Sequence, residues 1–449
     1  MSPARASAPA TFAVPPVGRA RPIRLPAFTD HTLASGLRVL IARRPGIPRF
    51  ESRLSVPVVR GGAGEGARVR VLSETLLSGT PTRTSRAIAE ALQAMGGGLG
   101  ASADAELVHI GGASLSVHRR AFLDLFGEVV RDASFPADEV AIERERVVQE
   151  IALLRSQPSV VAGDALAARI YGDHPYGRGT PDPAAVEAVT AAALRRLHDG
   201  RIRPDRALLV LVGDLDFDRT IADVEAAFGG WDAGGGQHAL RRPVLRTPTP
   251  VLLVDRPGAP QTTVRMAGPA LARSDPDYPA LALAVTVFGG YFTSRLNDNI
   301  REQKGYTYGA HARVDHRRAV AQFGIAADVG RDVTVASLVE IGYELGRMVA
   351  LPVGQGELDA ARRYLQGTLA MGIQTQTGLT AYLSTLVGSG LPVEYLRDYP
   401  AGLERVTVED VVAVSRRFLS PRGLATVLVG DAATIGPAVG AIAEIEPAG

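Results

Sequence analysis

Val39-Leu40-Ile41-Ala42-Arg43-Arg44-Pro45-Gly46-Ile47-Pro48 returns later in the chain as Val251-Leu252-Leu253-Val254-Asp255-Arg256-Pro257-Gly258-Ala259-Pro260. Six of the ten positions are identical, at an offset of 212 (251 minus 39). A second pair lies downstream of each copy. Leu208-Leu209-Val210-Leu211-Val212-Gly213-Asp214 is echoed by Ala425-Thr426-Val427-Leu428-Val429-Gly430-Asp431, at an offset of 217 (431 minus 214). Two matches in the same order at nearly the same offset predict duplication of a unit of about 200 residues. Each unit opens with a strand running into an R-P-G-x-P turn and closes with a strand running into V-G-D.

Between these markers lie long helical patterns and shorter strand patterns. Thr84 to Met95 places Ile88, Leu92 and Met95 on one helical stripe, with Thr84 and Ser85 as capping candidates. Val140 to Leu154 reads as a longer, charged helix, and Tyr278 to Phe288 and Thr334 to Val349 as two more. Apolar alternation marks strands at Leu107 to Leu115, Tyr308 to Val314 and Gln322 to Val329. Helices and strands do not alternate strictly. The expected class is therefore α+β, with two homologous domains, each a mostly antiparallel sheet covered by helices. The boundaries expected are an N-terminal extension over 1–27, a first domain over 28–231, a linker over 232–250 and a second domain over 251–449. Gly234-Gly235-Gly236 and nearby prolines mark the linker.

Composition narrows the function. The chain has 449 residues with 46% hydrophobic and 21% charged residues, an ordinary globular balance. Its net charge of +2 supplies no strong field for nucleic acid or an anionic membrane. Lys304 is the one lysine; the other basic residues are arginine. Cysteine is absent, which excludes disulfides, thiolate metal sites and thiol catalysis. No apolar run reaches the 18 residues expected of a membrane-spanning helix. Met1 to Ala27 is rich in Ala, Pro and Arg and lacks the continuous apolar stretch of a secretory signal. A cytoplasmic location is the expectation, with the periplasm as the alternative.

Direct motif reading finds no catalytic centre. None of the eight histidines falls in H-x-x-E-H or H-E-x-x-H, and there is no G-x-S-x-G elbow or phosphate-binding loop. His311 and His316 are read as a solvated pair, and His174-Pro175-Tyr176-Gly177 as a turn. Gly96-Gly97-Gly98 and Gly289-Gly290 are assigned turn or helix-capping duty. Glu143, Arg146 and Glu150 share one helix face at i, i+3 and i+7, and on composition alone read as a solvated ion-paired surface.

Taken together, several of these blocks resemble a known family. Ser78-Gly79-Thr80, Gly96-Gly97, Glu143-Arg144 and Glu150 are similar to the first half of the pitrilysin-type zinc metallopeptidases, the group of the mitochondrial processing peptidases and insulin-degrading enzymes. Asp255-Arg256-Pro257-Gly258-Ala259-Pro260-Gln261, Gly289-Gly290-Tyr291-Phe292-Thr293-Ser294-Arg295-Leu296 and Arg301-Glu302-Gln303-Lys304-Gly305-Tyr306-Thr307-Tyr308 resemble the second half. The resemblance runs from about residue 28 to 440 and implies the processing-peptidase fold in each domain.

The departure from the family is specific. Its hydrolytic members carry H-x-x-E-H just before the Gly-Thr pair. Here those positions are Arg70, Val71, Leu72, Ser73 and Glu74. Glu150 lies 76 residues (150 minus 74) beyond the last of them, where the resemblance places the third zinc ligand. Without imidazoles this chain is expected to hold no zinc, and Arg70 is expected to stand between Glu74 and Glu150 in the metal's place. The arginine–tyrosine motif is intact. By resemblance, Arg301 and Tyr308 would bind peptide carbonyls and help stabilise the oxyanion. The implied function is the zinc-less subunit of a heterodimeric metallopeptidase, inactive alone, with the zinc in a homologous partner. A catalytically silent scaffold or a peptide-presenting subunit of a larger complex is the alternative.

Overall fold

The computed structural model describes residues 22–58, 62, 64–234 and 241–447. The first 21 residues of the expected extension, and 235–240 within the expected linker, lie outside the described residues. The repeated sequence blocks lie at the centre of each sheet. In the first half the strands are β1 (Ala27–Thr32), β2 (Arg38–Arg43), β3 (Arg49–Pro57), β4 (Gly98–Ala103), β5 (Leu107–Leu115) and β6 (Leu208–Gly213). In the second they are β7 (Val251–Asp255), β8 (Gln261–Pro269), β9 (Thr307–His316), β10 (Ala321–Gly330), β11 (Ala425–Gly430) and β12 (Ile445–Pro447). The sheet orders are β1-β2-β6-β3-β5-β4 and β12-β7-β11-β8-β10-β9. Five strands correspond one to one. The edge strands β1 and β12 differ, β1 running antiparallel to β2 and β12 parallel to β7. These are two α+β domains built on mixed, mostly antiparallel sheets.

The two sequence matches turn out to be hydrogen-bonded neighbours. β2 and β6 pair in parallel, as do β7 and β11. At the end of each pair the R-P-G turn is anchored in the same way: Arg44 N–H donates to Gly213 O at 2.7 Å, and Arg256 N–H to Gly430 O at 2.8 Å. Gly46 and Gly258 take positive φ (116° and 73°), the conformation that makes glycine the default in such turns.

One face of each sheet carries its own domain's helices. On the first, Phe50 of β3 meets Phe122, which meets Phe126, which meets Phe228, in edge-on contacts of 5.3, 6.0 and 5.5 Å. The other face is covered by the opposite domain. Helix Pro158–Tyr171 of the first half lies on β8 and β11, packing Ala162, Leu166 and Ile170 against Ala267, Ala425 and Val427. Helix Gln376–Gly388 of the second half lies on β3 and β6, setting Leu379, Leu383 and Val387 among Leu40, Leu208, Val210 and Val212. Polar contacts tie this seam: Ser55 Oγ to Ser384 Oγ at 3.0 Å, and Thr377 Oγ1 donating to Glu51 at 2.8 Å.

Candidate functional site

Helix Glu65–Thr75 carries the degenerate motif and helix Ala137–Ser156 carries Glu150. They pack on each other, so the spacing of i and i+4 on the first meets i, i+3 and i+7 on the second. Arg70 Nη2 donates to both Glu150 carboxylate oxygens at 2.9 Å and lies 3.2 Å from Glu74. The guanidinium therefore stands between the two carboxylates, as expected from the sequence. Arg146 closes the ring: it reaches Glu74 at 2.5 Å, Glu143 at 2.7 Å and Glu150 at 3.4 Å. Its charged form is favoured further by the Glu143 hydrogen bond, against a smaller opposing effect of burial. The face read as solvated is thus a half-buried network across two helices. Sequence reasoning missed the Arg146–Glu74 bond, because it depends on how the helices cross. Its one legible signal was the i, i+3, i+7 register.

Zinc does not fit these residues. A zinc site needs imidazole, thiolate or carboxylate donors arranged in space. Here a permanently charged guanidinium, which has no acceptor, occupies the gap between the carboxylates. Ser73, at the position of the family's general base, is buried and turns its hydroxyl to Arg70 O at 2.8 Å. Among the described residues no group of three or more His, Cys, Asp or Glu is placed to hold a metal ion.

The Ser78-Gly79-Thr80 block serves structure. Thr80 and Thr82 hydroxyls each donate to Glu128 at 2.5 Å, and Arg83 Nε at 3.1 Å. The glycine blocks divide. Gly96 turns with φ of 61°, while Gly98 already begins β4. Gly289 lies in a π-helical turn, where an added Cβ would come within 2.9 Å of the Ala312 side chain, so it serves close approach to β9.

The arginine–tyrosine motif spans a second π-helical turn, Asp298–Gln303, and the start of β9. Gly305, at φ of 66°, makes the corner between them. The Arg301 guanidinium lies 3.4 Å from the Phe292 ring centroid and bonds Glu302. Tyr308 is 97% exposed, and its hydroxyl has no hydrogen-bond partner among the described residues. Strand alternation would put Tyr308 on the buried face with Ala310 and Ala312. A register shift in the β9–β10 ladder prevents this: Ala310 pairs with Ala327 and Thr307 with Val329, so Tyr308 and Gly309 together oppose Asp328. Such a bulge re-aims the side chain it carries. Asn297, buried and not singled out in the sequence, bonds both backbone groups of Ala310 at 2.7 and 2.9 Å and holds β9 in place behind the bulge.

The reading of His311 and His316 as a solvated pair holds for His311, which is exposed, and needs correction for His316, which is partly buried. His311 faces a cavity beside Arg265 and Arg313. His316 packs edge-on against Tyr278 at 5.0 Å. Its pKa falls to about 3, first because it is buried and then because Arg273 is near.

A family model described as insulinase, peptidase family M16, matches residues 71–184, and one described as the peptidase M16 inactive domain matches residues 188–365. An uncharacterized zinc protease of Mycobacterium leprae is 31% identical over 417 residues, covering 88% of this chain and 90% of its own. One from Mycobacterium tuberculosis is 30% identical over 426 residues, covering 88% and 92%. Two solved structures share the fold. A peptidase M16 inactive domain from Pseudomonas fluorescens has a TM-score of 0.82 at 24% identity, covering 94% of this chain and 100% of its own. A protease from Helicobacter pylori has a TM-score of 0.81 at 17% identity, covering 91% and 100%. No helix among the described residues is long and apolar enough to cross a membrane. By its family-model matches and by its identity to these relatives along most of its length, the chain belongs to peptidase family M16, the family of the pitrilysin-type metallopeptidases.

Proposed function

We propose that this chain is the non-zinc subunit of a heterodimeric metallopeptidase, acting on peptides with a homologous partner that carries H-x-x-E-H. The observation that carries this reading is the contrast between its two motifs. At the metal position a guanidinium fills the gap between Glu74 and Glu150. At the arginine–tyrosine motif, a bulge turns the Tyr308 phenol out, with no partner among the described residues. The exposed phenol is thereby open to contact with another molecule, and its place in the arginine–tyrosine motif is what makes that molecule the peptide in this reading.

In the complex, the metal and the water it activates belong to the partner. The tasks of this chain are to bind and orient the peptide. The Tyr308 hydroxyl donates to a substrate carbonyl oxygen, and that hydrogen bond strengthens as negative charge grows on the oxygen. The Arg301 guanidinium stands 3.4 Å from the Phe292 ring centroid and bonds Glu302, two contacts that limit its motion before substrate arrives. It then offers N–H groups to a neighbouring carbonyl.

The test is reconstitution of variants with the zinc-bearing partner. Tyr308→Phe keeps the ring and should leave thermal stability and heterodimer formation unchanged. Turnover should fall about 10²–10³-fold, the usual cost of losing one oxyanion donor. Arg301→Ala should lower turnover at least as far and raise KM. Near-normal turnover in both variants, with the heterodimer intact, would favour the scaffold reading instead.

A further inference from the structure

A cavity of about 350 Å³ lies between helix 158–171 of the first domain and the β8, β9 and β10 strands of the second. Its lining is unusually rich in cations. Arg265, Arg313 and Arg317 face it, against one carboxylate, Asp315. Asp315 is already engaged by Arg313 Nε at 2.7 Å. Asp328, behind the lining, is taken up by Thr263 at 2.7 Å and lies 3.6 Å from Arg265. Glu106, at the β4–β5 turn, accepts from the Tyr176 hydroxyl and from Arg318 N–H. The lining therefore keeps uncompensated positive charge.

Arg317 is the centre of this excess. Its guanidinium lies 5.2 Å from the Tyr171 ring centroid and 4.7 Å from that of Tyr176, and no carboxylate pairs with it among the described residues. Two aromatic faces hold it without consuming its N–H donors. Beside it, the Tyr171 hydroxyl donates to the Gln322 amide oxygen at 2.5 Å. That bond uses the amide oxygen, and the Gln322 NH₂ group has no partner among the described residues. Burial raises the Tyr171 pKa to about 12, so the phenol keeps its proton and its donor role. His311 titrates below its usual range, through desolvation first and then the Arg313 and Arg265 charges, so it adds no further positive charge to the lining. The cavity thus presents a fixed guanidinium and a fixed amide, both with open donors, in a space of side-chain size.

We propose that this interdomain cavity binds a carboxylate of the peptide substrate, received by Arg317 and the Gln322 amide. A carboxylate is the planar anion that a guanidinium fork and an adjacent amide donor match best. The inference rests on the reading of this chain as a peptide-binding subunit. It adds a preference for acidic peptides or for free C-termini, at a place separate from Arg301 and Tyr308.

Calorimetric titration of the isolated full chain at low salt tests it, and needs neither partner nor turnover. Three acetylated pentapeptides serve as probes: all-alanine with a free C-terminal carboxylate, an amidated alanine peptide with a central glutamate, and the same amidated peptide with a central glutamine. At least one of the two charged peptides should bind tenfold or more tighter than the neutral one. Preference for the first identifies the C-terminus as the source, and preference for the second an acidic side chain. Arg317→Gln should remove that advantage and Arg317→Lys should restore part of it. Should Arg317→Gln fail to fold, Gly324→Asp serves: a Cβ there meets nothing nearer than 3.7 Å, and the added carboxylate should abolish charged-peptide binding. Equal binding of all three peptides, or charged-peptide binding unchanged in Arg317→Gln or Gly324→Asp, overturns the proposal. That result would leave the turnover test of Arg301 and Tyr308 standing on its own.

Discussion

Arg70 shows how one side chain redefines a site. Removing a metal from between two carboxylates leaves like charges facing each other across a half-buried gap, and a guanidinium supplies the missing charge along with fixed donors. Arg70→Met should weaken the fold by only about 1 kcal/mol in urea titration, since Arg146 still holds Glu74 and the network is partly solvated. A sharper expectation concerns metal. Elemental analysis of the parent chain should find no stoichiometric zinc. Arg70→His combined with Glu74→His should bring it to about one per chain, with two imidazoles joining Glu150. A parent chain that holds one tight zinc, lost on replacing Glu150, would overturn this account of the site. The Arg70–Glu150 pairing could be read from the motif positions and their interval. The Arg146–Glu74 bond could not, because the rotation of one helix against another is set by packing along their whole length.

At the scale of the element, the β9–β10 hairpin carries both the exposed Tyr308 and the partly buried His316. Its alternation was legible as strand, but the bulge was not, since it arises from pairing with β10 and from the Asn297 clamp on Ala310. The same hairpin has a pH consequence. With a folded pKa of about 3 against about 6.5 when unfolded, His316 stays neutral in the native state while the unfolded chain gains its proton. Its contribution to stability is complete above pH 6.5 and is lost as pH falls from there toward 3. The loss approaches about 1.4 kcal/mol per pH unit below 6.5. Urea midpoints at pH 7.5, 6.5 and 5.5 should therefore fall more steeply in the parent chain than in His316→Phe. His316 Nε2 is buried without a hydrogen-bond partner among the described residues, so the phenylalanine should also be tolerated at pH 7.5. Parallel pH profiles for the two proteins would show that the imidazole is not the group responsible.

Across the whole molecule, the duplicated units are not independent. Each lends a helix to the other's sheet, and the helix at 376–388 is apolar on more than one face because it serves both halves. Leu383, fully buried on that helix, should cost about 2–5 kcal/mol when replaced by alanine. The parent and Leu383→Ala should both unfold in a single transition by tryptophan fluorescence and circular dichroism, because loss of this helix bares Val210 and Val212 of the other domain. Two transitions, with the Trp231 signal reporting one and the far-ultraviolet signal the other, would mean that the halves fold separately.

The duplication, the α+β class and the positions of several helices and strands could be read from residue order, because each depends on periodicity or on identity at a fixed offset, while the loss of the zinc motif was legible only through the family resemblance. The parallel pairing of the two repeated blocks, the helix exchange, the outward turn of Tyr308 and the arginine-lined cavity could not. Each joins residues that lie far apart in the chain, such as Tyr171 with Arg317, or Gln376–Gly388 with β3 and β6. Local periodicity states which face of an element is apolar. Which other element covers that face depends on packing among all of them at once.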